Sequence, residues 1–375
     1  MNPAALVSIK RLIAANLLVQ IFVSHELWLP VERLFPTAPA LALFDFPQFF
    51  QVIFACVLIL ALCLILLFPR QKIWLFVFLS CTFLMVLADL NRLQVWLYQQ
   101  WWLLWLLTFE GKISGRLIRS FLLFSLAAVY FWSGVSKLNV WYATDIFPWL
   151  LGFSDQKSPN SLQFPAYASA IFEALLGLSL LFKKTRSVGK WGILLMHTLV
   201  LIAIGPFLKN WNQVVWSWNI LMPFLIFILV KNADFQFVKK EFDFAKTPAT
   251  LYAIVFLIIP LLDVFGLKED QLAFKMYAGT ETEATIFFSK KDSHCLPAYL
   301  YDEIIEMPDS SQYLELDVWA QQELGVPAYP SPAVFKKVVR KLCPCLENGG
   351  VEILHVESRR DKNATRFEKI PCESL

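Results

Sequence analysis

Three ionisable side chains stand in stretches apolar enough to cross a membrane. Lys137 closes "YFWSGVSKLN", Glu173 interrupts "AIFEALLGLSLLF", and His197 interrupts "KWGILLMHTLVLIAIG". A charge in hydrocarbon must be compensated, so each marks a candidate functional position. Lys137 shares one helical face with Tyr130 and Ser133, at i, i+3 and i+7. Two chemistries fit it. One is an amine that snorkels to the headgroups. The other is a partly desolvated amine that works as a base or as the partner of an anion.

Glu173 and His197 flank the loop "KKTRSVG" at similar distances, so an antiparallel hairpin brings them to similar depth at 1.5 Å per residue. They are predicted to face each other, either as a hydrogen-bonded pair that fixes packing or as a proton-handling pair. In "ADLNRLQVWLYQQ", Asp89 has two candidate partners: Arg92 at i+3, and Lys137. In "FLKNWNQVVWSWN", Asn210, Asn212, Gln213 and Asn219 alternate with Trp211, Trp216 and Trp218. Tryptophan belongs at the headgroup level; four amides beside it suggest a polar mouth. The catalytic candidates are therefore Lys137, Glu173 and His197. The substrate-binding candidates are Asp89, Arg92, Tyr130, Trp141, Asn212 and Asn219.

The elements that must hold these residues are helices. The chain has 375 residues, of which 57% are apolar and 17% charged, and its mean hydropathy is +0.55. That is too apolar for an ordinary soluble domain. Residues 1–266 carry 20 Lys+Arg against 12 Asp+Glu, and residues 267–375 carry 13 against 18. This implies a membrane domain followed by a small soluble one. There is no basic stripe that would bind nucleic acid. Lys10 and Arg11 precede an apolar run without a small-residue cleavage site, which predicts a retained first helix.

Nine apolar segments approach spanning length, at about 11–29, 47–68, 73–89, 93–109, 118–138, 164–182, 190–206, 213–230 and 248–266. The fourth is short and aromatic-rich; if it lies in the interface the count is eight. Alternate loops divide unequally in charge. One set holds Lys10, Arg11, Arg70, Lys72, Lys112, Arg116, Arg119, Lys183, Lys184, Arg186, Lys190, Lys231, Lys239, Lys240 and Lys246. The other holds Arg33, Arg92, Lys157 and Lys209. With nine spans the N-terminus is expected in the cytoplasm and the C-terminal domain outside.

That domain reads as mixed α/β. "EATIFFS" and "VEILHVES" alternate as strands, whereas "LELDVWAQQEL" and "SPAVFKKVVRKLC" are amphipathic helices. Cys295, Cys343, Cys345 and Cys372 all fall in it. An even number in an exported domain allows two disulfides, with Cys343 and Cys345 each pairing to Cys295 or Cys372. "CPC" has neither the spacing of a zinc knuckle nor that of a CxxC redox motif, and no other metal motif stands out. Asn363-Ala-Thr365 matches a glycosylation sequon.

In order and spacing, "VYFWSGVSKLNVWY", "FEALLGLSLLFKKTRSVG", "MHTLVLIAIGPF" and "LADLNRLQVWLYQ" resemble the membrane domain of vitamin K-dependent gamma-carboxylase and its bacterial relatives, the HTTM (horizontally transferred transmembrane) proteins. The likeness covers about residues 75–225. It implies a polytopic helical bundle in a bacterial inner membrane and a quinone or quinol ligand. It also implies that Lys137 is the base that deprotonates the quinol. The DoxX-like membrane proteins, linked to quinone-dependent thiol oxidation, carry a similar Gly-x-x-Lys-Leu run. The carboxylase's histidine before the lysine-bearing helix has no counterpart in "FEGKISGRLIRS", and residues 267–375 do not resemble its large β-rich domain. A lipid-soluble substrate is thus implied more strongly than glutamate carboxylation. The alternative is a non-enzymatic scaffold whose C-terminal domain binds an extracytoplasmic partner.

Overall fold

A computed structural model describes residues 2–153, 160–231, 247–265, 271–308, 311–347, 349–356 and 365–375. Lys157, Lys239, Lys240, Lys246, the boundary at 266/267 and Asn363 of the sequon lie outside them. The chain is mostly helical, with one antiparallel sheet near its C-terminus. The long helices are α1 (Pro3–Val23), α2 (Gln48–Leu67), α3 (Lys72–Ala88), α4 (Val95–Leu107), α5 (Gly115–Ser136), α6 (Gln163–Leu181), α7 (Arg186–Ile204), α8 (Val214–Val230) and α9 (Pro248–Val264).

Among the described residues, α1, α2, α5, α7 and a segment containing α6 (Asn160–Leu181) are long and apolar enough to span a membrane, and α3, α8 and α9 are shorter apolar helices. Nine spans were expected. The fourth segment forms only the 13 residues of α4, about 20 Å against a hydrocarbon core of about 30 Å. The first helix also starts earlier than its apolar run, at Pro3, so Lys10 and Arg11 lie inside it.

The chain divides into two compact units. One contains residues 1–20, 57–80 and 95–279; the other contains 21–56, 81–94 and 280–375.

In the first unit, basic side chains close several helix ends. Lys10 is fully buried; its ammonium donates to the Pro69 carbonyl at 3.0 Å and pairs with the Glu110 carboxylate. Lys72 reaches the Glu110 carbonyl, Arg11 donates to Leu66 at 2.9 Å, and Arg119 donates to Leu229 at 2.6 Å. These basic side chains thus satisfy carbonyls that helix ends leave open. Because Lys72 opens α3 and Glu110 follows α4, the short α4 does return to the level at which α3 began. Elsewhere in the unit, Asn139 donates to the Ala278 carbonyl at 2.9 Å, and Trp149 packs on Trp211 and Tyr277. The outward faces of α6 to α8 carry Phe164, Ile171, Phe172, Leu175, Trp191, Leu195, Leu199, Ile220 and Phe224. Helices apolar both inside and outside the bundle suit lipid rather than water as the surrounding solvent.

The second unit holds strands β1 (Glu283–Ser289), β2 (Ile305–Glu306), β3 (Ser311–Glu315), β4 (Gly350–Val356) and β5 (Thr365–Pro371), ordered β2-β3-β1-β4-β5. Helices α10 (Leu316–Leu324) and α11 (Pro332–Leu342) pack on it. Alternation in β1 turns Ala284, Ile286 and Phe288 inward, and the register sets Ile286 opposite both Leu314 and Val351. Val334, Phe335, Val338 and Val339 form the buried stripe of α11. Gly325 ends α10 at φ +72°, a left-handed position that a side chain would strain. The expected helix "LELDVWAQQEL" starts two residues late, because Leu314 and Glu315 finish β3. Cys295 is bonded to Cys345, and Cys343 to Cys372.

Candidate functional site

Small residues build the site. On α6, Ala166, Ala170, Ala174 and Gly177 line one buried stripe. Gly134 of α5 lies against it so closely that an added Cβ would stand 2.5 Å from the Ala174 nitrogen and 2.6 Å from the Ala170 oxygen. Gly177 meets the α5 backbone at Ala127 and Phe131 just as closely. Such small-residue contacts let membrane helices approach backbone to backbone. Ser114 starts α5, its hydroxyl accepting the Leu117 N–H at 3.2 Å, and Lys137 is its C-cap.

The close approach places Lys137 beside Glu173. The ammonium donates to Glu173 Oε2 at 2.7 Å and to Ser133 Oγ at 2.8 Å. The two side chains are 10% and 14% exposed, so the pair is neither sealed nor solvated. About two turns earlier on α5 than Lys137, Tyr130 meets His197 Nε2 at 2.7 Å, and His197 Nδ1 meets Asn219 Oδ1 at 2.7 Å. The Asn219 amide donates to Val215 at 2.8 Å, which turns its oxygen to the ring. His197 therefore carries its proton on Nδ1 and accepts from the Tyr130 hydroxyl on Nε2. Tyr142 bonds Ser169 at 2.9 Å.

Lys137 is partnered by an anion, Glu173. Other expectations are corrected here. Glu173 and His197 do not pair with each other; Glu173 takes Lys137, and His197 takes Tyr130 and Asn219. Their depth was legible from spacing, but rotation about each helix decides the partner, and the small stripe of α6 turns Glu173 toward α5. Asn219 lines no outer mouth; it is buried against His197. Asn212 is buried in a left-handed turn at φ 48°. Trp141 packs against Gly279, where a Cβ would stand 3.1 Å from its own.

Asp89 and Arg92 pair neither with each other nor with Lys137. They sit in the second unit, both fully buried. Asp89 Oδ2 takes the Arg33 guanidinium at 2.7 Å, and Oδ1 accepts from Ala38 N–H at 3.1 Å and the Asn91 side chain at 2.9 Å. Arg92 donates to the carbonyls of Leu27 and Met85 and to Gln51 Oε1, each at 2.9 Å. Arg33, Tyr142 and Ser169 were not singled out by sequence. An arginine in a connecting loop and single hydroxyls in apolar helices give no pattern to find them by.

No family model, curated protein or solved structure matches this chain.

Proposed function

We propose that the chain is an integral membrane protein of the HTTM/gamma-carboxylase-like class, which handles a quinol or another lipid-soluble acidic substrate at the Lys137–Glu173 pair. The observation that carries this reading is the half-open Lys137–Glu173 ion pair on α5 and α6, with the Tyr130–His197–Asn219 chain starting from the same helix α5. Ile171, Phe172 and Leu175 face outward on the same helix as Glu173, giving an apolar substrate a lipid-side approach. Lys137 is the base or anion partner. For it to act as a base its ammonium first yields a proton to Glu173, whose carboxylate is already hydrogen-bonded to it; the amine then takes the hydroxyl proton of the substrate. Tyr130 and His197 hold the core and relay protons beside it.

The reading also places the chain in a bacterial inner membrane, N-terminus in the cytoplasm and sheet domain outside. The return of α4 to the level of Lys72, with basic side chains gathered there, supports that orientation. Quinone co-purification and binding test the function with wild type, Lys137→Ala and Lys137→Arg. Binding by wild type that both variants lose supports it. Equal binding by all three, or by none, overturns it.

A second reading is a scaffold whose sheet domain binds an extracytoplasmic protein. It is favoured by the exposed apolar side chains Ile305, Met307 and Phe367 on that domain. It expects Lys137→Ala to leave the protein's activity in the cell intact.

A further inference from the structure

The two disulfides of the second unit differ in their surroundings. Cys345 is exposed and Cys295 is half-buried, and His294 beside them is exposed. His294 Nε2 stands 3.7 Å from Cys345 Sγ and 3.9 Å from Cys295 Sγ. Its Nδ1 lies 2.8 Å from the Lys291 carbonyl, an acceptor only, so Nδ1 bears the proton. The lone pair of Nε2 therefore faces both sulfurs. Among the described residues, the other disulfide, Cys343–Cys372, has no histidine beside it.

We infer that Cys295–Cys345 is a thiol–disulfide exchange site that accepts electrons from an external dithiol, with His294 as its acid–base group. The steps balance. His294 Nε2 takes the proton of the incoming thiol, and the thiolate attacks the exposed Cys345 sulfur. A bond forms between the two sulfurs, the Cys295–Cys345 bond breaks, and its electron pair leaves on Cys295. The histidine returns its proton to that thiolate. The second thiol of the substrate then attacks its own sulfur in the mixed disulfide and releases Cys345, which takes up that thiol's proton. The substrate leaves as a disulfide, and Cys295 and Cys345 remain as two thiols. Attack on Cys345 is set by access, and departure of Cys295 by the adjoining imidazole. Cys343–Cys372, which ties the end of α11 to the residues after β5, keeps the fold while the other bond opens.

This inference is independent of the quinol reading, because it concerns a different unit and different residues. It is tested on the full chain in detergent or nanodiscs. Dithiothreitol serves as the dithiol probe, the reaction is quenched by alkylation, and each cysteine is followed by peptide mass spectrometry. Cys295 and Cys345 are expected to open at least tenfold faster than Cys343 and Cys372. In His294→Ala that rate is expected to fall about tenfold or more, while the Cys343–Cys372 rate stays unchanged and reports an intact domain. A peptide with two cysteines should in turn become oxidised in step with loss of the Cys295–Cys345 bond. Equal rates for the two disulfides, or a Cys295–Cys345 rate indifferent to His294→Ala, would overturn the inference. His294→Gln, which keeps polarity but has no basic nitrogen, should behave like the alanine variant. Wild-type rates in it would show that only packing matters and would likewise overturn the assignment.

Discussion

Two buried charge clusters in this chain are built in opposite ways. Around Asp89 both carboxylate oxygens are taken up by an arginine, a backbone N–H and an asparagine, and neighbouring Arg92 spends its donors on two carbonyls and an amide. Both oxygens of Asp89 and all three nitrogens of Arg92 are occupied, and both residues are fully buried; among the described residues Nη1 of Arg33 is left without a partner. Around Lys137 the ammonium has one carboxylate and one hydroxyl, and among the described residues Glu173 has only the ammonium. A saturated cluster is a fastener, because moving any group orphans another. An unsaturated pair at the edge of the bundle has room to exchange a partner, as a site must.

The comparison breaks most sharply at Asp89. Asp89→Ala leaves Arg33 buried without its counter-ion and frees the Ala38 N–H. A loss of about 3–5 kcal/mol is expected, read as a collapse in thermal midpoint and yield. Adding Arg33→Met should not restore it, since the backbone and asparagine donors stay unmet.

At Lys137 the same operation should be recoverable. Lys137→Ala alone costs about 2–4 kcal/mol by stranding Glu173. Adding Glu173→Gln should return most of the stability while quinone binding stays lost. If the double variant remains as unstable as the single one, the pair is a fastener too, and the contrast disappears.

A smaller effect tests how the pair is positioned. Gly134→Ala drives a methyl into the α6 backbone, for about 1–3 kcal/mol. It should weaken quinone binding without touching either charge. Unchanged binding and stability would mean that the close approach does not set the pair.

The mildest test lies in the sheet-bearing unit. Burial lifts the Asp317 carboxyl from an ordinary 3.8 to about 7; the Ala328 N–H opposes the rise, and Glu315 and Glu281 add to it. Between those two values the folded chain holds a proton that the unfolded chain has released. Stability from this group therefore falls as pH rises through the window and is level above it. Asp317→Asn keeps an acceptor for the Ala328 N–H at 3.0 Å and should flatten that slope in unfolding midpoints measured from pH 4 to 8. An unchanged slope would assign the pH dependence to other groups.

Much of the scaffold was legible because it follows from local pattern. The apolar runs foretold the long helices, and alternation foretold β1 and β4. The stripe Val334, Phe335, Val338 and Val339 foretold α11. What failed were short or irregular elements. The two-residue β2 and the exposed β5 carry too little alternation to register, and Leu314 and Glu315 read as helix until β1 offers them a ladder partner. For the site, the sequence named Lys137, Glu173, His197, Tyr130 and Asn219, and the structure brings all five into one unit. It did not give their pairings.

The sequence by itself therefore determined where the long helices run, that Lys137, Glu173 and His197 are polar groups within apolar stretches, and that Tyr130, Ser133 and Lys137 share a face. Periods of two and 3.6 residues are properties of the chain alone. Only the tertiary structure decided that Glu173 meets Lys137, that His197 meets Tyr130 and Asn219, and that Asp89 takes Arg33 from 56 residues away. Those choices depend on how each helix is turned against its neighbours. At α5 and α6 that rotation is set by whichever stripe, here Gly134 against Ala170 and Ala174, lets two backbones come closest.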